Sequence, residues 1–124
     1  MLFDTNKNKG RAGISMAIAY YGSNGYTVLL PLDDTQDYDL VVEKDNIFQK
    51  VQVKATGQLA PSGKFVVSLR NFGGTNGSCY GRVINSSADL LFVCTEAGRI
   101  YEYRVCELTQ TNALTLQDNF EVFI

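Results

Sequence analysis

Three side chains in the first half of the chain have the types and the spacing to act together. Asp39 stands thirteen positions before Gln52, and Lys54 follows two positions later. A carboxylate, an amide and an ammonium gathered at one point suit chemistry that runs on an acid, a lysine or a bound hard cation. The elements that bring them together are legible. Tyr38–Val42 and Ile47–Lys54 are rich in β-branched and aromatic residues, as strands are. Glu43-Lys44-Asp45-Asn46 lies between them, and Asp45-Asn46 suits the positive φ angles of a tight hairpin turn. A turn centred there pairs Glu43 with Phe48, Val41 with Lys50 and Asp39 with Gln52. Because strand side chains alternate, Lys54 shares the face of Gln52 and Asp39, while Leu40, Val42, Val51 and Val53 point the other way. A slip of one residue would reverse every assignment.

Composition narrows the chemistry. The chain has 124 residues, 45% of them hydrophobic, which fits one domain spanning 1–124 with its own core. Histidine is absent, so Ser-His-Asp and Cys-His catalysis, and most zinc and iron sites, are excluded. Cys79, Cys94 and Cys106 lack metal-ligand spacing, and the strand-like surroundings of Cys94 and Cys106 predict buried, reduced thiols in a cytoplasmic protein. No apolar run approaches the roughly 20 residues that span a bilayer, so no membrane association is expected. The net charge is −2, but its placement is uneven. Lys7, Lys9 and Arg11 cluster near the N-terminus, and Asp33, Asp34, Asp37 and Asp39 crowd the start of the hairpin. Either these are ordinary solvated charge runs, or a cation-filled acidic site lies beside a basic approach surface for a polyanion.

Asp4 or Thr5 can cap a helix running to about Gly22, with Ile14, Ala17, Ile18 and Tyr21 forming an apolar stripe. Gly25 suits the left-handed position that closes it. Strands follow at Tyr26–Leu30, at the hairpin and at Lys64–Arg70, with a loop from Ala55 to Gly63. The glycine-rich stretch 71–78 reads as a surface loop. Leu90–Cys94 and Arg99–Val105 form a second hairpin, Asn112–Gln117 is a short strand or helical turn, and Phe120–Ile124 is an edge strand. The fold class is α+β, an N-terminal helix packed on a mixed, mainly antiparallel sheet.

Asp39 followed by Gln52-x-Lys54 resembles the active-site signature of the PD-(D/E)XK nuclease superfamily, in the variant where glutamine replaces the second acid. The resemblance extends to Lys9-Gly10, the helix, Gly25-Tyr26-Thr27-Val28, Pro31, Tyr38-Asp39-Leu40-Val41-Val42 and Val51-Gln52-Val53-Lys54. It continues through Tyr80, Asp89-Leu90-Leu91-Phe92-Val93 and Ile100-Tyr101, and covers roughly residues 6–105. This ordered series is similar to small intron-encoded and phage homing endonucleases.

The resemblance implies a restriction-endonuclease-like core and cleavage of double-stranded DNA with Mg²⁺ or Mn²⁺. Asp39, Gln52 and Lys54 would be the catalytic residues, with Asp39, the Gln52 side chain and the Val53 carbonyl holding the metal. It implies a homodimer or homotetramer. Lys7, Lys9, Arg11, Tyr80 and Arg82 are candidate DNA contacts, and Asp89 reads as a structural cap. There is one departure. Relatives often carry a glutamate early in the first helix, and Ile14 stands at that position here; Asp33, Asp34 or Asp37 could compensate, or a partner subunit could. Two other functions stay open, a Holliday-junction-resolving nuclease and a nuclease-fold module that binds DNA or protein without cutting.

Overall fold

A computed structural model describes residues 2–73 and 78–124, with the backbone alone at residues 72, 73 and 78–80. Helix α1 spans Asn6–Ser23. Thr5 caps it, its hydroxyl accepting from the Asn8 N–H at 3.1 Å, which satisfies one of the donors a helix start leaves unpaired. Asn24 ends the helix and Gly25, at φ +84°, turns the chain away.

Ten strands follow: β1 (Thr27–Leu29), β2 (Leu40–Lys44), β3 (Ile47–Thr56), β4 (Val66–Ser68), β5 (Arg70–Gly73), β6 (Ser78–Arg82), β7 (Leu90–Thr95), β8 (Ile100–Arg104), β9 (Ala113–Thr115) and β10 (Glu121–Val122). Six of them form one sheet in the order β1-β2-β3-β7-β8-β10. Only the β3–β7 pair is parallel in it, so the sheet is mixed and mainly antiparallel. Two-stranded sheets β4-β9 and β5-β6 stand apart from it.

The hairpin has the register its turn dictates. Asp45 and Asn46 take φ of 53° and 66°, the left-handed pair that matches the twist of flanking strands. Glu43 pairs with Phe48, Val41 with Lys50 and Leu40 with Val51. Side chains on the two faces of the large sheet then enter different cores. Leu40, Val42, Val51, Phe92, Cys94 and Ile100 pack with Ala17 and Tyr21 of α1. On the opposite face Leu91, Val93, Tyr101 and Tyr103 pack with Val67, Leu69, Val83 and Leu114. Covered on both sides, β7 is buried along its whole length, as its unbroken apolar run demands.

Several boundaries differ from the sequence reading. β3 continues through Thr56, because its end pairs with β7 up to Thr95 instead of entering a loop at Ala55. The strand expected over Lys64–Arg70 is divided at Leu69, whose N–H bonds to Asn112; β4 then pairs with β9 and β5 with β6. Residues 71–73 and 78, read as loop, belong to the β5–β6 hairpin, in which backbone pairing outweighs glycine's weak strand preference. Residues 74–77 lie outside the described residues. On α1 the buried positions are Gly13, Ala17 and Tyr21, so the apolar stripe is rotated and Ile18 is exposed. Cys94 is buried but Cys106 is exposed, since β8 ends at Arg104 and Cys106 falls in a solvent-facing 3₁₀ turn. The side chain of Cys79 is among those not described. Among the described residues, no helix is long and apolar enough to cross a membrane.

α1 approaches β3 most closely at Gly13, where an added Cβ would lie 3.0 Å from Val53 Cγ1 and 3.5 Å from Ala55 Cβ. A side chain there would push the helix off the strand that carries Gln52 and Lys54. Gly13→Val is therefore expected to destabilise the fold by about 1–3 kcal/mol in denaturant titrations. Gly10→Ala, where nothing lies within 4 Å, should be neutral or stabilising by up to about 1 kcal/mol. Equal effects at the two positions would refute the close-packing account.

Candidate active site

β3 presents its residues to two sides. The backbone of its even-numbered residues faces β7, the Asp89 N–H donating to Lys50 O at 2.8 Å and the Glu96 N–H to Thr56 O at 2.9 Å. The amide and carbonyl of Val53 consequently face the other edge, towards β2. Asp39 is there. It lies just before β2 rather than within it, and its N–H donates to Val51 O at 2.9 Å, one residue out of the register that pairs Leu40 with Val51. Its side chain reaches across to Val53, whose N–H donates to Asp39 Oδ2 at 2.7 Å. The acid is thus fixed to the residue between Gln52 and Lys54.

Gln52 and Lys54 turn their side chains to the face opposite α1 and meet at one atom. Gln52 Nε2 and Lys54 Nζ each donate to Asn71 Oδ1 at 2.8 Å, and Lys54 Nζ also lies 3.3 Å from Arg70 O. Gln52 is 8% exposed and Asn71 is 7% exposed. Gln52 Oε1 is buried with no hydrogen-bond partner. An orphaned buried acceptor costs about 1–3 kcal/mol. Desolvation by neighbouring atoms pushes the Asp39 carboxyl above the ordinary carboxylate range, opposed by the Val53 N–H and the Lys54 charge, although the residue keeps an exposed surface.

The Asp39 carboxylate and Gln52 Oε1 are oxygens of the kinds a hard divalent cation takes, but Asp39 lines a cavity with Ile14 whereas Lys54 lines a different one. The Val53 carbonyl, facing the same edge, is a third oxygen of the right kind. Among the described residues no cluster of three or more His, Cys, Asp or Glu could hold an ion, so the set is poor in charge. Ile14 lines the same cavity as Asp39, about 510 Å³, together with Asp33 and Asp34. Asp37 is otherwise engaged, its carboxylate accepting from the Ser87 N–H at 2.9 Å and from the Ser87 hydroxyl. Asp89 is likewise structural, accepting from the Lys50 N–H at 2.8 Å.

A larger cavity, about 810 Å³, adjoins Lys54 and is lined by Asn6, Lys9, Gln58, Ser68 and Arg70 among others. It gathers three cationic side chains and one carboxylate, Glu96, beside the N-terminal turn of α1, a net positive arrangement suited to phosphate. Lys9 is therefore brought to the site. Lys7 and Arg11 are exposed on α1 and do not line that cavity. Arg82 donates through Nε to Asn112 Oδ1 at 3.2 Å. Tyr80 lies on β6, and its side chain is outside the described residues.

Sequence reasoning missed Asn71, having placed it in a loop. One signal could have revealed it. Val67, Leu69 and Asn71 are all buried and continue a period of two, so the asparagine is a polar residue at an inward position.

Comparison with known proteins bears on the fold and the family. A search of curated proteins returns no match. A solved structure of a bacterial homing endonuclease, I-Ssp6803I, superposes with a TM-score of 0.74 at 28% identity, covering 92% of this chain and 79% of that one. One helix packed on a mixed six-stranded sheet is accordingly a restriction-endonuclease-like fold. The family model described as PD-(D/E)XK endonuclease matches residues 4–117. With nearly the whole sequence matched, the chain belongs to the PD-(D/E)XK endonuclease family.

Proposed function

We propose that this endonuclease hydrolyses phosphodiester bonds of double-stranded DNA with Mg²⁺ or Mn²⁺, at a specific site as homing enzymes do, from a single domain over residues 1–124. The observation that carries the reading is the buried, unpartnered Gln52 Oε1, on a strand whose Val53 N–H bonds to the Asp39 carboxylate. Asp39, Gln52 Oε1 and the Val53 carbonyl would hold the cation. When bound, it supplies Lewis acidity at the phosphate and lowers the pKa of a coordinated water. Asp39 contributes the negative charge that makes the site selective for a cation. Lys54 places its ammonium where charge develops on the phosphate, and Asn71 and the Arg70 carbonyl hold it there. Lys9 and the start of α1 neutralise neighbouring phosphates. Likeness to a homing endonuclease over 92% of the chain supports site-specific cutting. A chain this small reads a long target as a homodimer or homotetramer with two active sites.

One observation favours a second reading. Ile14 faces the cavity of Asp39 where an acid would add charge, so the chain could instead bind DNA without cutting it. Plasmid nicking with Mg²⁺ separates the two. Cleavage by the wild type that falls by about 10²–10³ in Lys54→Ala, and is lost in Asp39→Asn, supports the enzyme. Retained DNA binding with no cleavage in any divalent ion supports the binding module. Selection on random DNA supplies the target, and a four-way junction substrate distinguishes branched-DNA cutting from linear. Ile14→Glu should lower the Mg²⁺ concentration needed for half-maximal cleavage, and an unchanged or raised value would show that this position does not reach the cation.

Stability should also report the site. A carboxyl whose folded pKa is raised favours the fold below its unfolded pKa, and that contribution is lost as pH rises through the folded pKa. In EDTA at neutral pH, Asp39→Asn should therefore melt no lower than the wild type, since an asparagine Oδ1 still accepts from Val53, with any gain small because the residue keeps an exposed surface. The gain should shrink as pH falls through the raised pKa of Asp39. Adding Mg²⁺ should stabilise the wild type and leave Asp39→Asn unmoved. A lower melting temperature for Asp39→Asn would contradict the desolvation account.

A further inference from the structure

Asn71 belongs to a hairpin outside the large sheet, yet its side-chain oxygen is the meeting point of Gln52 and Lys54. We propose that Asn71 is a positioning residue that sets which end of the Gln52 amide faces the cation site; the inference rests on the metal-site reading above.

An ammonium can only donate hydrogen bonds. Lys54 therefore obliges Asn71 to present Oδ1 rather than its NH₂. That oxygen accepts in turn from Gln52, which must offer Nε2. Gln52 is left with Oε1 turned away from Asn71, buried and unpartnered. A glutamine amide has two ends of nearly equal size, and only the oxygen can ligate a cation. The charge of Lys54 is thus relayed through one amide to orient a second. Asn71 pairs with Gly81 but Phe72 pairs with Cys79, so β6 carries one extra residue beside Asn71 and the register of the two strands shifts there.

The arrangement also accounts for burial. Asn71 is 7% exposed, beside the apolar cluster that includes Val67 and Leu69, where an amide is costly unless its partners are fixed. A leucine there would pack without that cost, so filling space does not by itself require an asparagine.

Mn²⁺ binding, followed by electron paramagnetic resonance of the free ion, tests the proposal without reference to cleavage. Asn71→Leu should weaken binding about 10-fold or more, the usual effect of removing a group that orients a ligand. Asn71→Asp, whose carboxylate accepts from both Gln52 Nε2 and Lys54 Nζ, should bind at least as tightly as the wild type. In a Gln52→Ala background, Asn71→Leu should add nothing, because the amide it orients is gone. Circular dichroism and thermal melts establish that each variant is folded; if Asn71→Leu is not, Asn71→Ala takes its place in the same comparison. Unchanged Mn²⁺ affinity in the folded variant, or a full loss that persists without Gln52, would overturn the orienting role while leaving the metal site standing. Failure of the wild type to bind Mn²⁺, with Asp39→Asn indistinguishable from it, would overturn the metal site and this inference together.

Discussion

β3 performs two tasks at once, and the two-residue period of an extended chain makes that possible. Val51 enters the core beneath α1 and Val53 packs against it, while Gln52 and Lys54 turn to the opposite face. Hydrophobic burial on one side therefore fixes the polar side chains on the other, because no shift of one residue is tolerated by Leu40, Val42 and Val51, all fully buried. The tight turn at Asp45-Asn46 and the parallel ladder with β7 hold the strand from both edges. Site geometry is in this sense a by-product of core packing.

Polar groups at the site are left in states that the fold alone does not favour. Asp39, whose carboxyl is shifted above its ordinary range, has a single backbone donor to one oxygen, and Gln52 keeps one buried atom unmatched. Elsewhere on the same face, polar groups are paired: Thr56 donates to Val66 O at 2.6 Å, and Asp37 and Asp89 cap backbone amides.

Local chemistry made much of this legible in the sequence. Asp45-Asn46 specified a turn with one acceptable geometry, and the apolar alternation of Leu40, Val42 and Val51 specified the register as far as Leu40 opposite Val51; Asp39, expected opposite Gln52, bonds to Val51 instead. Thr5 and Gly25 similarly marked the helix ends. What escaped depended on distant partners. Thr56 stays in a strand because Thr95 lies beside it, and Leu69 divides a run of strand residues because Asn112 takes its N–H. Asn71 acquires its role from Gln52 and Lys54, nineteen and seventeen residues away in the chain. The exposed Ile18 and the buried Gly13 show the same limit on α1, since which stripe of a helix is covered depends on the surface it meets.

The margins of the large sheet carry a consequence for how copies of this chain could associate. Its outermost strands, β1 and β10, have three and two residues, and Pro31, which cannot donate a backbone hydrogen bond, closely follows the first. So little unpaired main chain offers scant purchase for strand-by-strand extension between molecules. Any higher-order assembly would draw instead on side chains, and Leu30, Leu32, Ile47 and Phe48 stand open to solvent. The same economy at the borders protects a β-rich chain against the edge-to-edge stacking that leads to fibres.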